Sequence, residues 1–456
     1  MIVILADDLT GASDAAAQFA ARGYATALRL QPGPPYEPVD VCSYTADNRH
    51  LSPQEAYEAA RITVLPVADS LSHLFVKIDS TMRGPVLAHI LGAMSVCHVG
   101  GVVPCQPGKA ANSSNECSSR MAVVCPAYPE MGRQVIDQIV LVDGTPLAET
   151  AMADDPVTMV QNSKMAEMLG SVHSGGLEAY ETQHLSENRG KEQVVALKSE
   201  GDWGETLGQA LNDGVRVATV DAATREDLAD LADGLAKYPE IVPVGSAGLA
   251  AECARIWAKD LSQTPESPSV VNPPHPGSPT VVLISSCHPA SKAQLDSYLA
   301  HDHGRTVVVS PDLSTASDPD SLALWIDSAD LRNADTVIVV RPEERTSNPV
   351  LAANLANILG AATATLARRI LAGTLVLVGG DGAGATLKNL GITELTVNTP
   401  LDEGIGSAIA VDGFPGVLIV TKAGGFGGPE ALTCMLDYCR KHVTRDQMGP
   451  CDKEVL

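Results

Sequence analysis

Short apolar runs that stop abruptly at polar clusters recur along this chain. Ile2 to Leu5 is a β-branched run suited to a buried strand, and it ends at Ala6-Asp7-Asp8. Thr10-Gly11 then predicts a turn, and Ala12 to Arg22 an alanine-rich helix capped by Ser13 or Thr10. Thr26 to Leu30 and Val39 to Tyr44 read as strands around a proline-rich loop, the second ending at Thr45-Ala46-Asp47-Asn48-Arg49. Ser52-Pro53-Gln54-Glu55 has a capping-box pattern and predicts a helix to about Val64. Leu74 to Ile78 is a further strand, followed at once by Asp79-Ser80-Thr81-Met82-Arg83-Gly84 and a helix from Pro85 to Met94. Strands that each end in charged or hydroxyl groups imply one shared polar edge of a parallel sheet.

Val96 to Ser119 lacks any apolar period and reads as a flexible, cysteine-bearing insertion. Met121 to Cys125 resumes as a strand, ending at Pro126 to Arg133, and Leu141 to Glu149 has hairpin character around Asp143-Gly144. Asp154 to Arg189 is read as helical and loop-like, Val194 to Leu197 and Val215 to Asp221 as strands, and Glu226 to Lys237 as a helix. Val244-Gly245-Ser246-Ala247-Gly248 opens a helix to Ala258.

The proline-rich segment 262–279 is the clearest linker, so residues 1–261 and 280–456 are expected to be separate domains. The second half restarts the alternation with strands at Thr280 to Ile284, Thr306 to Val309, Thr336 to Val340, Leu375 to Val378 and Val417 to Thr421. Helices are expected at Ser291 to Leu299 and Leu351 to Ala372. The fold class is therefore α/β, with two domains, each a mainly parallel sheet flanked by helices.

Composition narrows the function classes. The chain has 456 residues, 55 acidic and 31 basic, for a net charge of −24, which argues against nucleic acid or an anionic membrane as a partner. No apolar run reaches transmembrane length, and the N-terminus lacks the basic region and cleavage site of a signal peptide, so a cytoplasmic protein is expected. The cysteines match no tight zinc spacing, the histidines are not grouped like metal ligands, and no metal ligand is assigned.

Chemistry concentrates at the strand ends. Asp7 and Asp8, with Thr10 beside them, can orient sugar hydroxyls, hold Mg²⁺ or accept a proton. Lys77 and Arg83 flank Asp79, Ser80 and Thr81, while Arg49 and Arg133 stand at other strand ends; such cations clamp a carboxylate or a transferring phosphoryl group. In the second half, Gly379-Gly380-Asp381-Gly382-Ala383-Gly384 and Ala423-Gly424-Gly425-Phe426-Gly427-Gly428 follow strands, and Ser285-Ser286 follows a third. Glycines there let backbone N–H groups approach phosphates. Neither stretch is a Walker loop or a dinucleotide fingerprint.

ADDLTGASD at 6–14, KIDSTMRG at 77–84, CPAYPEMGR at 125–133, VGSAGLA at 244–250, LVGGDGAGATL at 377–387 and TKAGGFG at 421–427 together resemble the four-carbon acid sugar kinases. The resemblance spans nearly the whole chain. It implies an N-terminal sugar-acid domain, a C-terminal nucleotide domain, and ATP-dependent phosphorylation of a tetronate such as threonate or erythronate, or of a 3-oxo-tetronate. It places Asp7, Asp8, Thr10, Lys77, Asp79 and Arg83 in the sugar-acid site; Arg49 and Ser80, at the same strand ends, join them as substrate-binding candidates on the reading of the residues alone. It places Ser286, Gly380 and Ala423, Gly424, Gly425, Phe426 in the ATP site, to which the glycine-rich strand end adds Gly379. This chain departs from the family pattern at Ser285, where glycine is usual, at Gly382, where threonine is usual, and in the insertion.

The reading is a two-domain kinase acting on a terminal hydroxyl, with ATP and Mg²⁺. Asp8 is expected to be the base and Asp7 to serve substrate or Mg²⁺, two roles that could be exchanged. Its partners would be small molecules, with a homo-oligomer allowed. The alternatives are a non-catalytic sensor of nucleotide and sugar acid, or an aspartyl phosphatase, for which the adjacent aspartates are wrongly spaced.

Overall fold

The computed structural model describes residues 1–96, 121–150, 160–170, 194–199, 201–258, 278–301, 305–331, 334–342 and 349–444. The chain folds as two compact units, Met1–Pro265 and Glu266–Leu456. Their boundary falls inside the segment expected to be a linker, most of which lies outside the described residues, as does nearly all of the cysteine-bearing insertion.

In the first unit, β1 (Ile2–Ala6), β2 (Thr26–Arg29), β3 (Val41–Thr45), β4 (His73–Lys77) and β5 (Met121–Cys125) carry apolar side chains on both faces. A hairpin of β6 (Arg133–Ile136), β7 (Ile139–Val142) and β8 (Thr145–Pro146) follows. β9 (Val194–Leu197), β10 (Val217–Val220) and β11 (Ile241–Gly245) complete the sheet, whose order is β2-β3-β1-β4-β11-β5-β10-β9. The pairings are parallel, which explains the unbroken Val/Ile/Leu runs of strands buried on both faces.

The flanking helices are α1 (Leu9–Ala20), α2 (Pro53–Val64), α3 (Val86–Met94), α4 (Met165–Gly170), α5 (Trp203–Asn212), α6 (Arg225–Leu235) and α7 (Ala247–Trp257). The capping box at Ser52 forms as expected. The start of α1 differs from the sequence expectation: Asp8, not Ser13 or Thr10, is the cap, accepting from the Gly11 amide. Thr10-Gly11 is therefore the first turn of the helix. An aspartate directly after the strand already satisfies an orphan amide, so no separate turn is needed. Of the stretch expected to be helical and loop-like, 154–189, the described part holds α4; residues 171–193 lie outside the described residues.

The second unit holds β12 (Thr280–Ile284), α8 (Pro289–Leu299), β13 (Thr306–Val309), α9 (Leu313–Ala316), α10 (Pro319–Ser328), β14 (Thr336–Val340) and α11 (Pro349–Arg369). β15 (Thr374–Val378), α12 (Gly380–Asn389), β16 (Glu394–Val397), β17 (Ile405–Ala410), β18 (Leu418–Lys422) and α13 (Ala431–Thr444) follow. The strands run β13-β14-β12-β15-β18-β17-β16. β13 to β18 are parallel neighbours in that order, whereas β17 pairs antiparallel with both β18 and β16. Those two strands were not expected, because IGSAIA and ELTV are too short and too small-residue-rich to stand out as apolar runs.

One glycine stretch also differs. Gly380 to Gly384 form the first turn of α12 rather than a loop. Gly382 is needed there for close approach: a Cβ would lie 2.4 Å from Ser285 Oγ and 2.5 Å from Ser285 Cβ. Gly379 is the true turn residue, with φ of 107°. Among the described residues no helix is long and apolar enough to cross a membrane.

Candidate active site

Register brings the first cluster together. Ala6 is paired with Thr45 on one side and Lys77 on the other, so the polar stretches after β1, β3 and β4 emerge at one level. Arg49, delivered by the turn after β3, donates from Nε and Nη2 to the two Asp7 oxygens at 2.9 and 3.0 Å. Its Nη1 lies 2.9 Å from Asp8 Oδ2, and its Nη2 lies 3.9 Å from Asp79 Oδ1. Asp79 accepts from Arg83 Nε and Nη2 at 2.8 and 3.0 Å, and from the Thr81 amide and hydroxyl. Thr10 Oγ1 donates to Asp8 Oδ2 at 2.7 Å, and the Gly11 amide to Oδ1 at the same distance. Lys77 is buried, and its Nζ donates to the Ile78 carbonyl at 3.0 Å. Ser80 is buried in the same turn.

This turn needs Gly84. Its φ is 87°, and a Cβ would meet the Arg49 carbonyl oxygen at 2.6 Å. The two loops that carry the cations are thus pressed together.

Three carboxylates and three cations balance here, and the balance sets their protonation. Burial works to raise the Asp8 carboxyl, but the Arg49 and Lys77 charges and the bonds from Thr10 and Gly11 outweigh it and hold it below its ordinary value. Burial is likewise overcome at Asp79, where Arg83 and Arg49 keep the carboxyl well below the usual range. Burial pulls Arg49 downward, yet Asp7, Asp8 and Asp79 together raise it well above its ordinary value. The Asp7 side chain is 6% exposed and that of Asp8 is 14% exposed, so Asp8 is the more open to a substrate.

A buried pair stands behind Arg49. Asn48 Nδ2 donates to the Ala56 carbonyl at 2.9 Å and meets His89 Nδ1 at 2.9 Å, tying the Arg49 turn to α2 and α3. With Asn48 as donor, His89 must accept at Nδ1 and be neutral. Burial keeps its pKa below the ordinary histidine value. Arg133 is buried on β6, where its Nη1 donates to the Met131 carbonyl at 2.6 Å; Asp143 lies 3.9 Å away.

The second unit repeats the device. Ile284 pairs with Val378, and Val378 with Lys422, so the turns after β12, β15 and β18 share one edge. Ser285 Oγ donates to the Val378 carbonyl at 3.1 Å. Ser286 Oγ accepts from the His288 amide at 3.1 Å, and His288 caps α8 by accepting from the Ala290 amide. The 423–427 turn is held from below. Ser291 Oγ donates to the Gly424 carbonyl at 2.9 Å, and Gln294 Nε2 to the Phe426 and Gly427 carbonyls at 2.9 Å each. A Cβ on Gly425 would lie 3.2 to 3.4 Å from the His288 ring.

The comparisons with known proteins now decide the family. Residues 2–253 match the family of sugar-binding N-terminal domains, and residues 281–432 that of nucleotide-binding C-terminal domains. A D-threonate kinase of Bordetella bronchiseptica is 30% identical over 94% of this chain and 95% of its own. The chain belongs to the four-carbon acid sugar kinase family. A family relative from Methylobacterium radiotolerans, a 3-oxo-tetronate kinase, is 24% identical over 95% of this chain and 98% of its own. A solved chain from Salmonella typhimurium shares the fold, with a TM-score of 0.68 at 21% identity over 95% of this chain and 98% of that one.

Within this family member, the structure brings Asp7, Asp8, Thr10, Arg49, Lys77, Asp79, Ser80 and Arg83 to one sheet edge. Ser286, Gly379, Gly380, Ala423, Gly424, Gly425 and Phe426 gather at the edge of the other unit. Sequence reasoning passed over Lys422. Its signal was the one that drew attention to Lys77: a lysine closing an apolar strand. Asn48 and His89 had no such signal, since their pairing spans 41 positions.

Proposed function

We propose that this kinase transfers the γ-phosphoryl group of ATP to a terminal hydroxyl of a four-carbon sugar acid, a tetronate such as threonate or erythronate or its 3-oxo form. The carboxylate–guanidinium cluster around Arg49 carries this reading. A sugar acid presents hydroxyls, which carboxylates and Thr10 can bind, and one carboxylate, which Lys77 or Arg83 can bind. The names of the relatives support the substrate class. The family match of the C-terminal unit supports placing ATP at the Ser286, Gly379 and 423–427 edge, and that of the N-terminal unit supports placing the acid at the Asp7 edge.

In this mechanism the substrate hydroxyl oxygen attacks the γ-phosphorus, the bond to the β-phosphate oxygen breaks, and ADP leaves. Asp8 takes the hydroxyl proton. Its depressed pKa makes it a modest base that is ionised at neutral pH, which suits a loose transfer needing orientation more than proton abstraction. Asp7, with both oxygens held by Arg49, fixes the guanidinium between the carboxylates. In this reading Mg²⁺ would be held chiefly by the nucleotide phosphates. It would neutralise phosphate charge there.

The test is ATP consumption over a panel of D- and L-threonate, D- and L-erythronate and the 3-oxo-tetronates. One or a few acids should stimulate turnover and yield a product phosphorylated at the terminal hydroxyl. No stimulation by any of them, with both ligands bound, would favour the sensor; a trapped phospho-aspartate on Asp7 or Asp8 would favour the phosphatase.

A further inference from the structure

Lys422 is 1% exposed, and among the described residues no carboxylate acts on its charge. Its Nζ instead donates to the carbonyls of Ala423 at 2.8 Å, Gly424 at 3.2 Å and Phe426 at 2.8 Å. An ammonium group has three N–H donors, and the turn that follows it supplies three acceptors. Such a buried cation is expensive to desolvate unless every donor is taken.

The backbone consequence follows from peptide geometry. In a trans peptide the carbonyl and the amide N–H point in opposite directions, and the described residues contain no cis bond. Carbonyls 423, 424 and 426 turned toward Nζ therefore send the N–H groups of Gly424, Gly425 and Gly427 away from it. Successive outward N–H groups make a concavity suited to an anion. Ser291 and Gln294 hold the same carbonyls from α8, which limits how far the turn can rotate.

We propose that Lys422 is a positioning residue of the nucleotide site: by clamping three carbonyls of its own turn it aims the turn's amides at a nucleotide phosphate. The ammonium also leaves a net positive charge behind those amides. Lys422 does not touch the phosphate; it acts through the backbone of 423–427. The proposal rests on the assignment of ATP to this edge.

The experiment uses the full chain with Lys422→Met and Lys422→Gln, each checked for its thermal midpoint. Binding of ADP by calorimetry and KM for ATP and for the most active sugar acid are measured. With midpoints near that of the unaltered protein, ADP affinity should fall about tenfold or more and KM for ATP should rise in step, as charge-assisted bonds are lost. KM for the acid should stay within about twofold. Unchanged ADP binding in a folded variant would overturn the proposal. So would equal rises in both KM values, or loss of the folded state in both variants, which would make Lys422 a determinant of folding. Failure of the unaltered protein to bind ADP would instead sink the nucleotide assignment itself.

Discussion

Arg49 grips Asp7 with a two-pronged fork, at 2.9 and 3.0 Å, across 42 positions of sequence. The same guanidinium reaches Asp8 with its third nitrogen. One side chain thus pairs with both aspartates of the first turn and leaves Asp8 the more open of the two.

Replacing Arg49 separates charge from geometry. Arg49→Lys keeps a cation but has no planar fork, and Arg49→Met leaves Asp7 buried and unpaired. Removing one partner of a buried pair costs about 3–5 kcal/mol, so the methionine variant should lose that order of stability in urea unfolding and the lysine variant less. Activity should fall about 100-fold or more in both. A methionine variant as stable as the parent would show the pair to be dispensable for folding.

Asp8 both caps α1 and faces the substrate, and Asp8→Asn divides these roles. Asparagine caps helices about as well as aspartate, so α1 should stay capped, while loss of the charge that pairs with Arg49 should lower the thermal midpoint. It cannot accept a proton as a carboxylate does, so kcat should fall about 100-fold or more while ATP still binds. Full activity would remove Asp8 from proton transfer.

His89 makes stability depend on pH. Its folded pKa lies below its unfolded value of about 6.5, so both states are neutral above that value and stability is greatest there. As pH falls through the window below 6.5, the unfolded chain protonates first and stability drops, by at most about 1.4 kcal/mol per pH unit. The depressed Asp8 and Asp79 lose their contribution only below about pH 4. Denaturation between pH 7 and 5 should show this loss, and His89→Gln, neutral throughout yet able to accept from Asn48, should lack it. Equal slopes would place the effect elsewhere.

Gly425→Val and Lys77→Ala test the division of ligands between the two units. A side chain on Gly425 must push against the His288 ring, 3.2 Å from the new Cβ, and so distort the 423–427 turn. ATP affinity should fall sharply while sugar-acid binding persists. Lys77→Ala should weaken the acid and spare ATP. Calorimetry with both ligands on both variants settles it; an exchange of the two outcomes would reverse the assignment.

Much of this was legible in the chain itself. Each apolar run followed by a polar cluster marked a strand end, because burial and local backbone bonding act over a few residues. That was enough to mark the strand-end candidates and the two-unit α/β organisation, while their division between sugar acid and ATP came from the resemblance to the kinase family. What only the tertiary structure decided was which groups meet. Sheet register put Ala6, Thr45 and Lys77 at one level, and only then could Arg49 reach Asp7. Local pattern also misplaced the start of α1 and took the first turn of α12 for a loop. The fit that requires glycine at 382 is against Ser285, nearly a hundred residues earlier. Lys422 was visible as a residue but not as a clamp, because the chain must fold back on the lysine before its carbonyls become acceptors. Periodicity records which face is buried; it carries no information on distances between segments, and site chemistry depends on those distances.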